Sequence, residues 1–490
     1  MTTERDIATT RASSTTIVLD APQAFQSSTW PDGLSVAADL DPSLHSSWRI
    51  ALYYIYVDFP SNEEVQEHVQ FQKKLCESMG FQGRIRVSSE GVNGVLSGLF
   101  PLQQQYERQV TAKLANAINH NNKESLDLDV KYCLLRDDLS IESQLFQNLI
   151  VKETKTVISL FDQIPNAVQP IEEETSSNLS NGNNRRSNQS NRRRRRKQQR
   201  QQQKEQTGEK SLYNHNRIQQ EMLEVEPAQH LSAKEWNAKL LSSSSGVSPS
   251  NSSLNSSSAI LLDVRNVYES RVGYFSAPKI PTLLTNTRKY SDLPALLQSS
   301  EDIQDKQEIF MYCTGGVRCE RVSQLVQTLY PEKRVYQLQG GIQTYLEDTC
   351  SREIQNDNSP STATPRSVNG LCLYKGKNFV FDPRRTDPIH KVGSKVGKCL
   401  ICNASHDDYD NGHAPSENKE ARCNTCRMLI LVCNECRPKY KCWGEDRRTS
   451  CDQDNSTDRP LLYCGGLETC IHEGAAPKPE LIQGEEEGIN

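Results

Sequence analysis

Ile309-Phe310-Met311-Tyr312-Cys313-Thr314-Gly315-Gly316-Val317-Arg318-Cys319-Glu320-Arg321 is the stretch whose reading decides the fold of this 490-residue chain. Four apolar or aromatic residues in succession, 309–312, suit a strand covered on both faces. Gly315 and Gly316 break the pattern and permit backbone angles that other residues resist. Val322, Leu325, Val326 and Leu329 then recur at helical spacing, which predicts a helix packed back on the sheet. The stretch therefore reads as a buried strand, a loop opening on a cysteine, and a helix.

That geometry has chemical consequences. A thiol at a strand end, facing a helix N-terminus, sits among outward-pointing N–H groups at the positive end of a dipole. Both favour the thiolate, and Arg318 adds a full positive charge. The loop Thr314, Gly315, Gly316, Val317 is thus suited to hold Cys313 as a thiolate or a persulfide. The plainer alternative is a buried cysteine in an ordinary strand-to-helix turn; the glycines and Arg318 weigh against it. Cys319, in the first helical turn, is either a packed helix residue or a resolving thiol for an oxidised Cys313.

Outward from this stretch, composition bounds the rest. Only 35% of residues are hydrophobic and mean hydropathy is -0.69, so part of the chain is expected to stay unpacked. Net charge is -5, so any nucleic-acid binding must be local. No apolar run is long enough to predict a transmembrane helix, and no signal-peptide core is evident. A reducing cytosol is the default expectation. A basic run leaves the nucleus open, and the Ser/Thr-rich start leaves an organelle open.

After a flexible lead, 1–46, a first domain is expected over 47–163. Strand-like runs at 50–57, 83–87 and 92–96 alternate with helical patterns at 62–80 and 103–117, with later strands at 126–134 and 149–160. Asn62 is the expected cap of the first helix, and Gly80 its end. The order β-α-β-β-α-β is the ferredoxin-like α+β unit. Arg84, Arg86, Lys152 and Lys155 are candidates for an RNA-phosphate face, against the alternative of a solvated sheet face. Glu90 and Asn93 read as turn residues.

Residues 164–224 form an expected disordered basic insertion, with Arg192 to Arg196 and Lys197 as a dense cationic block. A second domain, 225–350, carries a serine-rich insertion at 242–258. Its strands at 259–265, 309–312 and 335–338 alternate with helices, predicting a largely parallel α/β sheet. Ligands bind such sheets beyond the strand carboxyl ends, where Cys313 lies. Asp263 and Arg265 are expected to brace the loops as an internal ion pair.

A linker, 351–370, leads to a cysteine-rich tail, 371–475, and a disordered end, 476–490. Ten of the 16 cysteines lie between Cys399 and Cys470. Cys399/Cys402, Cys423/Cys426 and Cys433/Cys436 are three C-x2-C pairs, a spacing suited to tetrahedral zinc. One site would use four of these six, and a second would draw on cysteines from Cys442 onward. One or two structural zinc ions are expected. His406 and His413 are alternative ligands, and disulfides or free thiols the alternative states.

Cys313-Thr-Gly-Gly-Val-Arg318 resembles the active-site loop of rhodanese domains, and Asp263-Val264-Arg265 resembles their Asp-Val-Arg signature. The longer run with Cys319 is similar to a rhodanese-like family whose bacterial members are tRNA uridine hydroxylases. Ser89-Glu90-Gly91-Val92-Asn93-Gly94 and Lys375-Gly376-Lys377-Asn378-Phe379-Val380-Phe381-Asp382 resemble that family's N-terminal domain and tail. Tyr274 departs from the usual rhodanese histidine, and the family's middle cysteine pair is spaced more widely than Cys423 and Cys426. The resemblance implies a tRNA partner, an α/β multidomain chain with a zinc-binding tail, and oxygen-dependent hydroxylation of a wobble uridine. It also places Cys313, Arg318 and Cys319 in catalysis. Two other functions stay open: a persulfide sulfurtransferase taking sulfur from a donor onto Cys313, and a zinc-bearing adaptor without catalysis.

Overall fold

A computed structural model describes residues 47–117, 128–136, 139–161, 217–245, 258–350, 372–387, 395–409, 420–443, 459–467, 470–471 and 478–484. The lead, the Arg192–Lys197 block, the linker and His413 lie outside the described residues.

The first domain runs β1 (Trp48–Tyr56), α1 (Asn62–Ser78), β2 (Gln82–Ser88), β3 (Gly91–Leu99), α2 (Phe100–Ala117), β4 (Lys131–Leu134), α3 (Ile141–Gln144) and β5 (Leu149–Glu153). The sheet order is β4-β1-β3-β2-β5, with β5 parallel to β2 and the other pairs antiparallel. Ser61, not Asn62, caps α1, its hydroxyl accepting from the Glu64 N–H. Strand alternation divides the sheet cleanly. Tyr53, Ile55, Ile85, Val87, Val92 and Leu96 point to the helices and are buried. Lys131, Leu52, Tyr54, Tyr56, Asn93, Arg84, Arg86 and Lys152 share the opposite face by register.

The second domain opens earlier than expected. Residues 217–223 are helical, and Ile218 and Met222 are buried in its core, so the basic insertion ends before them. Its elements are β6 (Gln229–Leu231), α4 (Ala233–Ser245), β7 (Ala259–Asp263), α5 (Val267–Ser270), β8 (Gly273–Phe275), β9 (Thr282–Leu284), α6 (Leu293–Ser299), α7 (Glu301–Gln304), β10 (Glu308–Tyr312), α8 (Val317–Leu329), β11 (Arg334–Leu338) and α9 (Gly341–Cys350). The serine-rich insertion is shorter than expected at its start, because Ser242 to Ser245 continue α4. Strands β9, β7, β10, β11 and β6 are parallel neighbours. Central β10 is covered on both faces: Ile309 and Met311 enter one core, Phe310 and Tyr312 the other.

After α9, β12 (Tyr374–Gly376) pairs with β8, and β13 (Asn378–Phe379) pairs with β14 (Thr386–Asp387). The described remainder of the tail has little regular structure, and its buried cluster mixes cysteines with apolar residues such as Met428, Ile430, Val432 and Leu462. The end of the chain, expected to be disordered, contributes a strand. β15 (Glu480–Ile482) adds antiparallel to β9, closing the edge of the parallel sheet. No helix among the described residues is long and apolar enough to cross a membrane.

Candidate active site

Cys313 directly follows β10 and is 1% exposed. The Gly316 N–H donates to its Sγ at 3.1 Å. Burial alone would raise this thiol. The Cys319 thiol, the Arg318 charge and the N–H groups of residues 318 and 319 outweigh it and bring Cys313 down to about 6. Cys319 is fully buried, and burial together with its hydrogen bond to Cys313 pushes its own thiol well up. One thiol is thus held ready to ionise and the other kept protonated as its donor.

Helix α9 supports the loop from below. The Ile342 N–H donates to Cys313 O at 2.9 Å and the Gln343 N–H to Thr314 O at 3.0 Å. Gly341 makes this approach feasible: an added Cβ would stand 2.7 Å from Cys313 O and Gly316 N. Gly316, at φ +95°, opens α8 in a conformation that favours glycine.

Arg318 faces Glu269 in a two-bond clamp, Nη1 to Oε2 at 2.8 Å and Nη2 to Oε1 at 2.7 Å. Nη2 also donates to Thr314 Oγ1, which in turn donates to Glu269. Burial would lower the guanidinium pKa, but Glu269 more than offsets it. Glu269 is completely buried and caps α5 by accepting from the Asn266 N–H. Sequence reasoning missed this role; its signal was an acid three residues after a capping asparagine. Asp263 and Arg265 form a buried ion pair, both 0% exposed, with Arg265 also donating to Gly273 O and Tyr374 Oη. Asp382 and Arg384 repeat the same clasp in the tail, and Arg384 donates onward to Leu134 O in the first domain.

The first domain covers the loop from above. Tyr54 Oη donates to Glu320 Oε1 at 3.0 Å, and Tyr56 Oη to Val317 O at 3.3 Å. Leu52 and Tyr54 lie so close that a Cβ on Gly315 or Gly316 would meet them at 2.9 and 2.8 Å. Glu90 is more than a turn residue: it accepts from Arg321 at 2.6 Å and from the Val157 N–H at 2.7 Å. Glu320 also meets His230 at 2.8 Å and Gln337 at 3.2 Å. These links between distant segments had no local signal in the sequence.

Arg84, Arg86 and Lys152 are exposed, and they share a sheet face with Leu52 and Tyr54. Lys155, three residues after Lys152, is exposed as well. It lines a cleft of about 300 Å³ at the start of α1, with Ser61, Asn62 and Glu153.

The tail cysteines sort into two groups. Cys399, Cys402, Cys433 and Cys436 form one; Cys423, Cys426, Cys464 and Cys470 form the other. Within each, the sulfurs lie within 4.8 Å of one another, and none of the eight is in a disulfide. Sulfur separations of 3.5, 3.6 and 3.8 Å are near the ~3.8 Å expected for four thiolates about 2.3 Å from one tetrahedral ion. The donor sets therefore fit a metal ion each. Four of the first six cysteines form one group, and the middle pair closes with Cys464 and Cys470 from the later cysteines. His406 and Cys442 belong to neither group.

Comparison with known proteins matches residues 48–157 to the UPF0176 acylphosphatase-like domain and residues 375–454 to the rhodanese C-terminal domain. Rhodanese-like domain-containing protein 6 of Arabidopsis thaliana is 29% identical over 80% of this chain, a match spanning 51% of that relative's length. A tRNA uridine(34) hydroxylase of Chlamydia trachomatis is 24% identical over 86% of this chain and 96% of its own. One from Streptococcus uberis is 26% identical, covering 80% and 85%.

Proposed function

For a rhodanese-like chain that carries a UPF0176 acylphosphatase-like domain and a rhodanese C-terminal domain, we propose hydroxylation of uridine 34 in tRNA, with molecular oxygen as co-substrate and Cys313 as the reactive group. One observation carries this reading. The cationic sheet face of Arg84, Arg86 and Lys152 leads across Asn93 and Val95 of β3 to Leu52 and Tyr54, which lie on the Cys313 loop. An RNA strand bound by its phosphates along that face would run toward the seam where the first domain covers the loop. A wobble base is unpaired before it binds, so presenting it costs little.

In this reading Cys313 works as a thiolate, Cys319 donates to it, and the Glu269 clamp holds Arg318 beside both. The tail sites hold one structural zinc ion each, adding to a small apolar core of residues such as Ile430, Val432 and Leu462. The thiolate also suits transfer of a persulfide sulfur. Against that, Arg318 is already paired in two bonds with Glu269 and offers a thiosulfate-like donor little unmatched charge.

The test is mass spectrometry of tRNA nucleosides from cells lacking the protein, rescued with wild type, Cys313→Ala or Cys319→Ala. Loss of hydroxylated uridine, restored by wild type and not by Cys313→Ala, is the expected result. An unchanged nucleoside profile alongside thiosulfate turnover by the purified chain would replace hydroxylation with sulfur transfer.

A further inference from the structure

Among the described residues, the large apolar side chains left exposed include one aromatic ring, Phe381, at 53% exposure. A single exposed apolar residue is ordinary by itself. The mounting of this one is not. On its N-terminal side Phe379 is buried, and Phe379 O is 3.4 Å from the Thr314 hydroxyl of the active loop. On its C-terminal side stands the buried Asp382–Arg384 clasp, anchored to Leu134 O of β4. The rings of Phe379 and Phe381 meet edge to face at 5.6 Å. The underside of the Phe381 ring rests on Arg318, whose Cζ is 5.3 Å from the ring centre. A half-exposed ring is thus mounted between the loop that carries Cys313 and the β4 edge of the first-domain sheet, across that sheet from Arg84, Arg86 and Lys152.

We propose that Phe381 is a stacking platform for an unpaired nucleobase of the substrate RNA, next to the base presented to Cys313. Every base has a flat π face, and base–aromatic stacking is a common means of holding single-stranded RNA. A platform fixed before binding loses little entropy when the base arrives. The Arg318 charge beneath the ring is already matched by Glu269, so the ring's outer face is left for the ligand. This inference rests on RNA being the substrate.

The experiment uses the full chain, with its metal content and thermal unfolding checked for each variant. Phe381→Ala is expected to weaken binding of a tRNA anticodon stem-loop about tenfold and to raise KM more than it lowers kcat. Phe381→Tyr is expected to restore both. In Phe381→Trp, the added indole emission, taken as the difference from wild type, is expected to be quenched when the stem-loop binds. A Phe381→Ala chain with wild-type affinity and activity, or no quenching on binding, overturns the platform and leaves the hydroxylase reading standing. A wild-type chain that binds no RNA overturns both.

Discussion

Arg321, one turn into the helix that begins at the Cys313 loop, donates to Glu90 in the β2–β3 turn at 2.6 Å, so the first domain is fastened to the active loop by a charged pair. The side chains are only 15% and 21% exposed. Arg321 also lies over the Tyr56 ring, with its Cζ 4.4 Å from the centre.

Glu90→Ala should therefore loosen the cover over Cys313. It removes acceptors for two donors, a loss of about 1.5–3 kcal/mol for a charged hydrogen bond. Alkylation of Cys313 by iodoacetamide, followed by peptide mass spectrometry, should accelerate in this variant and further in Glu90→Ala with Tyr54→Ala. An unchanged rate would mean that these contacts do not limit access.

The pH dependence of that alkylation should follow the thiolate. Cys313 is held down at about 6, so it is ionised above that pH and protonated below it. Reactivity should rise through pH ~6, against ~8.5 for an ordinary cysteine. Arg318→Ala should move the midpoint upward, because a positive charge that favours the thiolate is gone.

Glu269→Ala should be among the most damaging single changes. It leaves the Arg318 guanidinium buried beside an unmatched space and removes an α5 cap. Stranding one member of a buried pair costs about 3–5 kcal/mol. Urea denaturation should show a loss of that order; a loss below about 1 kcal/mol would contradict the clamp as drawn.

Metal content should separate the two tail sites. Elemental analysis of the purified chain should give two zinc ions, falling to one in Cys402→Ser and to one in Cys464→Ser. Cys442→Ser should keep both. A strong chelator should unfold the tail if these sites hold zinc as proposed, because a structural ion contributes folding energy.

Arg84→Ala, Arg86→Ala and Lys152→Ala should each weaken tRNA binding across sequences. Each should also reduce the salt slope by about one unit for every phosphate that is no longer neutralised. Lys155→Ala, in the cleft at the start of α1, should change it least.

Much of this protein was legible along the chain. Four apolar residues before Cys313, two glycines and a helical repeat sufficed to place a buried strand, a tight loop and a helix, since periodicity and turn chemistry are local properties. The alternating runs of the first domain revealed its β-α-β-β-α-β order in the same way, and the C-x2-C pairs revealed metal-type spacing. What tertiary structure alone decided were the partners. Cys399 and Cys402 close with Cys433 and Cys436 across the intervening pair, and Cys423 and Cys426 reach forward to Cys464 and Cys470. Glu90 finds Arg321, Tyr54 finds Glu320, and residues 480–482 return to the edge of a sheet begun some two hundred and fifty residues earlier. Spacing along a chain sets which face a side chain occupies. Which distant face it meets depends on how whole sheets and helices bury one another, and that is a property of the packed molecule.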